Sequence, residues 1–186
     1  MKIRIHAFEP GSRANGPGLR AVVWFQGCTL GCPGCFNPDT HDPAAGYDWD
    51  TETLAAKIVS LGTTIEGISV SGGEPFQQPA ALLDLLIRVS GSHLSCLIFS
   101  GYTLREIERL PLGPAIIDRC DVLIAGRYAP DKHVGRGLLG SSNQQIHVLS
   151  DRYNESQLSK TPGCELVLRS DGTITLTGLL PWRQPK

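Results

Sequence analysis

The sequence predicts an α/β fold: a partial, open parallel β/α barrel with a C-terminal β-hairpin. Short β-rich runs alternate with amphipathic stretches, and glycine-rich or polar residues recur where several of those runs end. At 186 residues the chain also falls short of the ~250 that a closed eight-stranded barrel typically needs. Ile3–Phe8 and Ala21–Gln26 read as strands separated by a Gly/Pro-rich turn, Pro10–Gly18. A helix is expected over Glu52–Leu61, with Asp50 or Thr51 to cap it, Gly62 to end it, and Leu54, Ala55, Ile58 and Leu61 on one face. Gly67–Ser71 is a strand ending at Gly72-Gly73. Pro79 opens the next helix, whose apolar stripe is Leu82, Leu83, Leu86 and Ile87. Leu94–Ser100 is a strand, and Thr103 with Glu106 has capping-box spacing for a further helix. Asp121–Ala125 and Gln145–Ser150 are strands, and Glu165–Leu168 with Thr173–Thr177 flank the turn Ser170-Asp171-Gly172. Parallel sheets collect chemistry at the carboxyl ends of their strands. Here those ends are Gly27-Cys28, Ser71–Glu74, Ser100–Tyr102 and Gly126-Arg127.

The composition bounds the function. With 41% hydrophobic and 19% charged residues the chain is too apolar to be disordered, and one domain spanning 1–186 is expected, with a core of about 15–150 and a C-terminal extension of about 151–186. A net charge of −1 removes the global basic field of a nucleic-acid binder. The longest unbroken apolar run, Ala21–Phe25, cannot span a bilayer, and no apolar stretch follows Lys2 and Arg4 as a signal peptide requires. A cytoplasmic protein with no membrane partner is the expectation.

Of the six cysteines, Cys28, Cys32 and Cys35 lie within eight residues, while Cys96, Cys120 and Cys164 are scattered. Outside a short secreted chain, clustered thiols point to a metal rather than to disulfides. Their spacing is C-x3-C-x2-C, and glycines at 27, 31 and 34 let the loop fold around an inorganic core. Three thiolates can hold three irons of a [4Fe–4S] cube, leaving the fourth iron open to another ligand. Spacing alone leaves open a Cys3His zinc site completed by His41, and unliganded thiols. The dispersed cysteines give no second cluster.

The cysteine loop, followed by Phe36, resembles that of the radical S-adenosylmethionine (SAM) superfamily. Ser71-Gly72-Gly73-Glu74-Pro75 is similar to the superfamily's GGEP motif. Asn15–Arg20 with the strand leading to Cys28 resembles the start of glycyl-radical-enzyme activases. Asp121–Tyr128 and Gly140–Gln144 resemble later parts of the anaerobic ribonucleotide reductase activase group, and Pro38–His41 resembles the activase group. The stretch Thr161–Lys186 matches no activase feature.

The resemblance implies a radical SAM barrel and a [4Fe–4S] cluster held by Cys28, Cys32 and Cys35. The cluster reduces bound SAM, giving methionine and a 5′-deoxyadenosyl radical that removes hydrogen from a glycine of a partner enzyme. Gly72, Gly73 and Glu74 are implied at the methionyl end of SAM, and Gly34 and Phe36 near its adenosyl portion. Ser100, Asn143 and Gln144 are further candidate SAM or partner contacts. Arg20, Arg127 and Arg136 are candidates to dock an acidic group. An electron donor such as flavodoxin or ferredoxin is implied. Two other functions remain open at this point: a small-molecule radical SAM enzyme of the 7-carboxy-7-deazaguanine synthase type, and a non-enzymatic iron–sulfur or zinc module.

Overall fold

The run Ala-Val-Val-Trp-Phe at 21–25 has the composition of a strand covered on both faces, and it forms most of β2 (Arg20–Phe25) in the computed structural model, which describes residues 1–179. The last residues of the expected C-terminal extension, 180–186, lie outside the described residues. β1 (Lys2–Ser12) runs antiparallel to β2. It continues through Pro10 and Gly11, expected to turn, because the register slips between Glu9 and Ser12 and absorbs them as a bulge. β3 (Tyr47–Asp50) pairs with the far side of β1. Sequence alternation does not reveal it, since only Trp49 is even half-buried.

α1 (Thr51–Val59) begins as expected, with the Asp50 carboxylate accepting from the Glu52 and Thr53 N–H groups. β4 (Gly67–Gly72), α2 (Pro79–Ser90) and β5 (Ser95–Ser100) follow. The buried face of α2 is Ala81, Leu82, Leu85, Leu86 and Val89; it keeps Leu82 and Leu86 of the expected stripe, leaves Leu83 half-buried and turns Ile87 out. Ile87 is 48% exposed, because spacing i, i+3, i+4, i+7 from Leu82 selects Leu85 and Val89 instead. α3 (Leu104–Ile107) opens with the Thr103–Glu106 capping box in place. Then come α4 (Gly113–Ile117), β6 (Val122–Ala125), β7 (His133–Arg136), β8 (Leu139–Ser141), β9 (Gln145–Val148) and α5 (Glu155–Ser159). β10 (Cys164–Leu168) and β11 (Ile174–Gly178) form the expected terminal hairpin.

The main sheet has seven strands in the order β3-β1-β2-β4-β5-β6-β9. β2, β4, β5 and β6 are parallel, as expected; β1 and β9 run against them, and β3, antiparallel to β1, shares their direction. β1 departs from the parallel order because its short link to β2 has no crossover helix and permits only antiparallel pairing. One face of the sheet packs against α1, α2, α3 and α4 around Val23, Leu54, Ile68, Leu85 and Ile98. Alternate residues Leu97, Val122 and Ile124 face the other way and meet Leu138, Tyr153 and Leu158. Among the described residues no helix is long and apolar enough to cross a membrane.

The sequence makes Arg20 one candidate to dock an acidic group. It is fully buried instead, at the edge of the sheet opposite the cysteines. Its guanidinium donates to the hydroxyls of Ser69, Ser95 and Tyr153 and to the carbonyls of Pro17, Ile68 and Ser95. Fork geometry and five N–H groups suit it to tie β2, β4, β5 and Tyr153 together. Arg20→Ala leaves these acceptors unpaired in a dry site, so it should lower the unfolding free energy by about 3 kcal/mol or more. A urea midpoint equal to that of the wild type would refute this role.

Candidate active site

β2 runs directly into the cysteine loop. Gly31 and Gly34 turn it with φ of +62° and +66°, values that a residue with a Cβ rarely adopts. The N–H groups of Gly27 and Cys28 donate to the carbonyls of Thr40 and His41 at 2.8 and 3.1 Å, so both ends of the loop are pinned to each other. Within it the Cys35 N–H donates to the Cys32 carbonyl at 3.2 Å, and the Asn37 N–H approaches the Cys35 sulfur at 3.4 Å. All three thiols are half-buried and unpaired. Burial pushes the Cys28 and Cys35 thiols above the ordinary range, offset in part by backbone N–H groups of Leu30 and Asn37 respectively. A metal binding there must displace protons.

The end of β4 lies against this loop at distances that exclude a side chain. A Cβ on Gly73 would sit 2.3 Å from the Gly27 carbonyl oxygen, and one on Gly72 would sit 2.5 Å from the Phe25 backbone. The resulting contact is hydrogen-bonded: the Gly73 N–H donates to Phe25 at 2.8 Å and the Glu74 N–H to Gly27 at 2.9 Å. Two further contacts hold the loop from above. Leu30 lies against Gly101, and Phe36 packs on Tyr128, with ring centroids 4.6 Å apart, beside Gly140.

Glu74 is buried, and its carboxylate accepts from the Phe76 N–H at 3.0 Å, the Ser100 hydroxyl at 2.8 Å and the Gly101 N–H at 2.7 Å. Burial raises its pKa to about 7 in spite of these donors. Arg127, paired with Glu106 at 3.0 Å, lowers it only weakly from a distance.

A pocket of about 110 Å³ opens between these parts. Its lining brings together Cys28, Cys32, Cys35, Phe36, Gly72, Gly73, Glu74, Ser100 and Gln144. Gly34 stands outside it, against Tyr128 and Pro130, and Asn143 is exposed and does not line it. The Asn143 amide donates to the Arg127 carbonyl and the Gln144 amide to that of Gly126, while the Gln144 oxygen accepts from Gly140 and Ser141. Both amides therefore brace the turn after β6. Leu30, His41, Phe99, Tyr128 and Leu179 line the pocket without having been singled out as SAM contacts from the sequence. Tyr128 had a signal, as it follows a strand end; Leu179 had none. Arg136 is exposed on the β7–β8 hairpin, away from this pocket. A larger cavity of about 580 Å³, lined by Arg13, Glu66, His93, Arg152 and Tyr153 among others, lies beside Arg20 at the opposite sheet edge and shares no residue with the cysteine pocket.

The donor set fits an iron–sulfur cube: three thiols on one glycine-turned loop, an N–H directed at one sulfur, and a facing strand end without side chains. Among the described residues, no three His, Cys, Asp or Glu side chains converge to hold one metal ion. A cube takes each thiolate on a separate iron.

Residues 14–147 match the family model described as a 4Fe-4S single cluster domain. The chain is 33% identical over 156 residues to the anaerobic ribonucleoside-triphosphate reductase-activating protein of Salmonella typhimurium, covering 79% of this chain and 99% of that protein. The Escherichia coli protein of the same name is 32% identical over 154 residues, with 77% and 97% covered. The pyruvate formate-lyase-activating enzyme of Clostridium pasteurianum is 41% identical over 87 residues, 45% of this chain and 37% of its own. The chain thus belongs to the 4Fe–4S single-cluster family and, within it, to the radical SAM activases of glycyl-radical enzymes. Its cofactors are a [4Fe–4S] cluster and SAM.

Gly73→Ala should drive the end of β4 away from the loop and reduce the iron retained after anaerobic reconstitution by at least half, by the backbone clash alone. Iron retention at the wild-type level would show that the close approach is dispensable. In the cluster-free protein the raised Glu74 pKa gives a stabilisation present below pH 4.5 and lost as pH rises through about 7, roughly 3 kcal/mol at most. Urea titrations across that range should show the decline, and Glu74→Gln should flatten it. An unchanged slope in the variant would assign the titration elsewhere.

Proposed function

We propose that this protein installs a glycyl radical on a partner enzyme of the anaerobic ribonucleotide reductase type. The observation that carries this reading is the meeting of the three-cysteine loop with Ser71-Gly72-Gly73-Glu74 in one pocket at the carboxyl edge of the parallel strands. When bound, the cluster supplies the electron that cleaves SAM to methionine and a 5′-deoxyadenosyl radical. Cys28, Cys32 and Cys35 hold the cluster. Gly72 and Gly73 offer backbone to the methionyl end, since no side chain stands between them and the loop. Glu74, fixed by Ser100 and Gly101, lends that end a negative charge when ionised. Phe36 with Tyr128 provides an aromatic wall for the adenosyl portion, and Gly34, outside the pocket, turns the loop that carries Phe36. Asn143 and Gln144 act by holding the turn after β6 in place.

The same reading takes the sheet as the open barrel of the radical SAM type, within one domain whose core is about 15–150, followed by an extension of about 151–186. A cytoplasmic setting and a flavodoxin or ferredoxin reductant complete it.

Anaerobically reconstituted protein should carry about four irons per chain. It should release 5′-deoxyadenosine with dithionite and SAM, and produce a glycyl-radical signal when the anaerobic reductase of the same genome is added. Cys32→Ala should abolish all three. Bound zinc without iron would defeat the reading. SAM cleavage with no radical on the reductase would favour a small-molecule substrate.

A further inference from the structure

The β10–β11 hairpin is amphipathic in the reverse of the usual sense. Its register sets Leu166 opposite Leu176 and Leu168 opposite Ile174, so these four side chains share one face. That face points to solvent: Leu166 is 57% exposed, Leu168 68%, Ile174 62% and Leu176 40%. The polar face is the one that packs on the body. Thr177 meets the Ser12 hydroxyl at 2.7 Å, Glu165 accepts the Arg13 N–H at 2.6 Å, and Arg169 pairs with Glu9. A hairpin that only needed to cover β1 would have turned its leucines inward, where burial stabilises. A contiguous exposed aliphatic patch of this kind marks an interaction site.

The hairpin is anchored through Ser12 and Arg13 near the foot of the sheet, and the residue that follows it reaches the active-site pocket. β11 ends at Gly178, and the next residue, Leu179, is held by its N–H to the Gly163 carbonyl at 2.8 Å and lines the pocket beside the cysteines and Glu74. Cys164, exposed at the start of β10 opposite Gly178, lies on the same face of the hairpin, between the leucines and that rim.

We propose that the outward face formed by Leu166, Leu168, Ile174 and Leu176 docks the protein substrate, with its glycine-bearing segment entering the pocket past Leu179. The inference rests on the activase reading. A protein substrate must place a backbone carbon in the pocket and cover its rim against water, and an apolar anchor joined to the pocket through Leu179 serves both needs.

The test uses the reconstituted holoenzyme and the anaerobic reductase of the same genome, with a Leu166→Ser/Leu168→Ser double variant and a single Ile174→Glu variant. Both should fold, since these side chains are exposed, and both should release 5′-deoxyadenosine from SAM at the wild-type rate without the reductase. With it, the KM for the reductase should rise about tenfold or more while the rate at saturation stays within about twofold. The reductase should also protect Cys164 from alkylation. Wild-type SAM cleavage without radical formation on the reductase would remove the activase reading, and the docking surface with it. Radical formation with an unchanged KM in both variants would remove the docking surface alone. Loss of a wild-type dimer in the variants, with KM unchanged, would assign the patch to a second copy. A truncation after Leu179 that raises binding of an apolar dye in the wild type but not in the double variant would assign it to the chain's own last residues.

Discussion

The architecture of the candidate active site depends on two missing side chains. Gly72 and Gly73 bring the end of β4 into backbone contact with the end of β2, and a methyl group at either position would collide with main-chain atoms that cannot swing away. Because the hydrogen bonds from Gly73 and Glu74 reach Phe25 and Gly27, the cysteine loop starts from a fixed point on the sheet. Everything distal to that point inherits its position from it. The Glu74 side chain then extends the same tie to β5 through Ser100 and Gly101, so three successive parallel strands are joined at their carboxyl ends by polar contacts.

The loop itself has little apolar content, and it borrows rigidity from its neighbours. Leu30 uses the space that Gly101 leaves, and Phe36 uses that left by Gly140. These contacts link the loop to the turn after β5 and to the β7–β8 hairpin, two segments far apart in sequence. Burial favours the protonated thiol at Cys28 and Cys35, so it works against uncompensated charge at those two positions.

Much of this was legible in the sequence because the chemistry is written in local spacing. The cysteine pattern, the paired glycines and the strands that end on them all lie within short windows, and the caps at Asp50 and Thr103 follow local rules. What spacing hides is long-range choice. The face α2 buries depends on its neighbours, and Ile87 loses to Val89 for that reason. β3, β7 and β8 carry few apolar residues and form only because a partner strand is already there. Arg20 looks like a surface cation until Ser69, Ser95 and Tyr153 are brought to it from 49 to 133 residues away. Asn143 and Gln144 sit in a motif that suggests ligand contact, yet their amides meet backbone. The last hairpin was legible as a hairpin but not in orientation, since alternation fixes which residues share a face and says nothing about which face turns inward.

Arg20 has a consequence at the far end of the same strands. It is a buried cation held by hydroxyls and carbonyls, with Glu66 reached only through the Tyr153 phenol. Dipoles in a dry interior are not screened by dissolved ions as exposed ion pairs are. The foot of the sheet should therefore keep its geometry over a wide range of ionic strength.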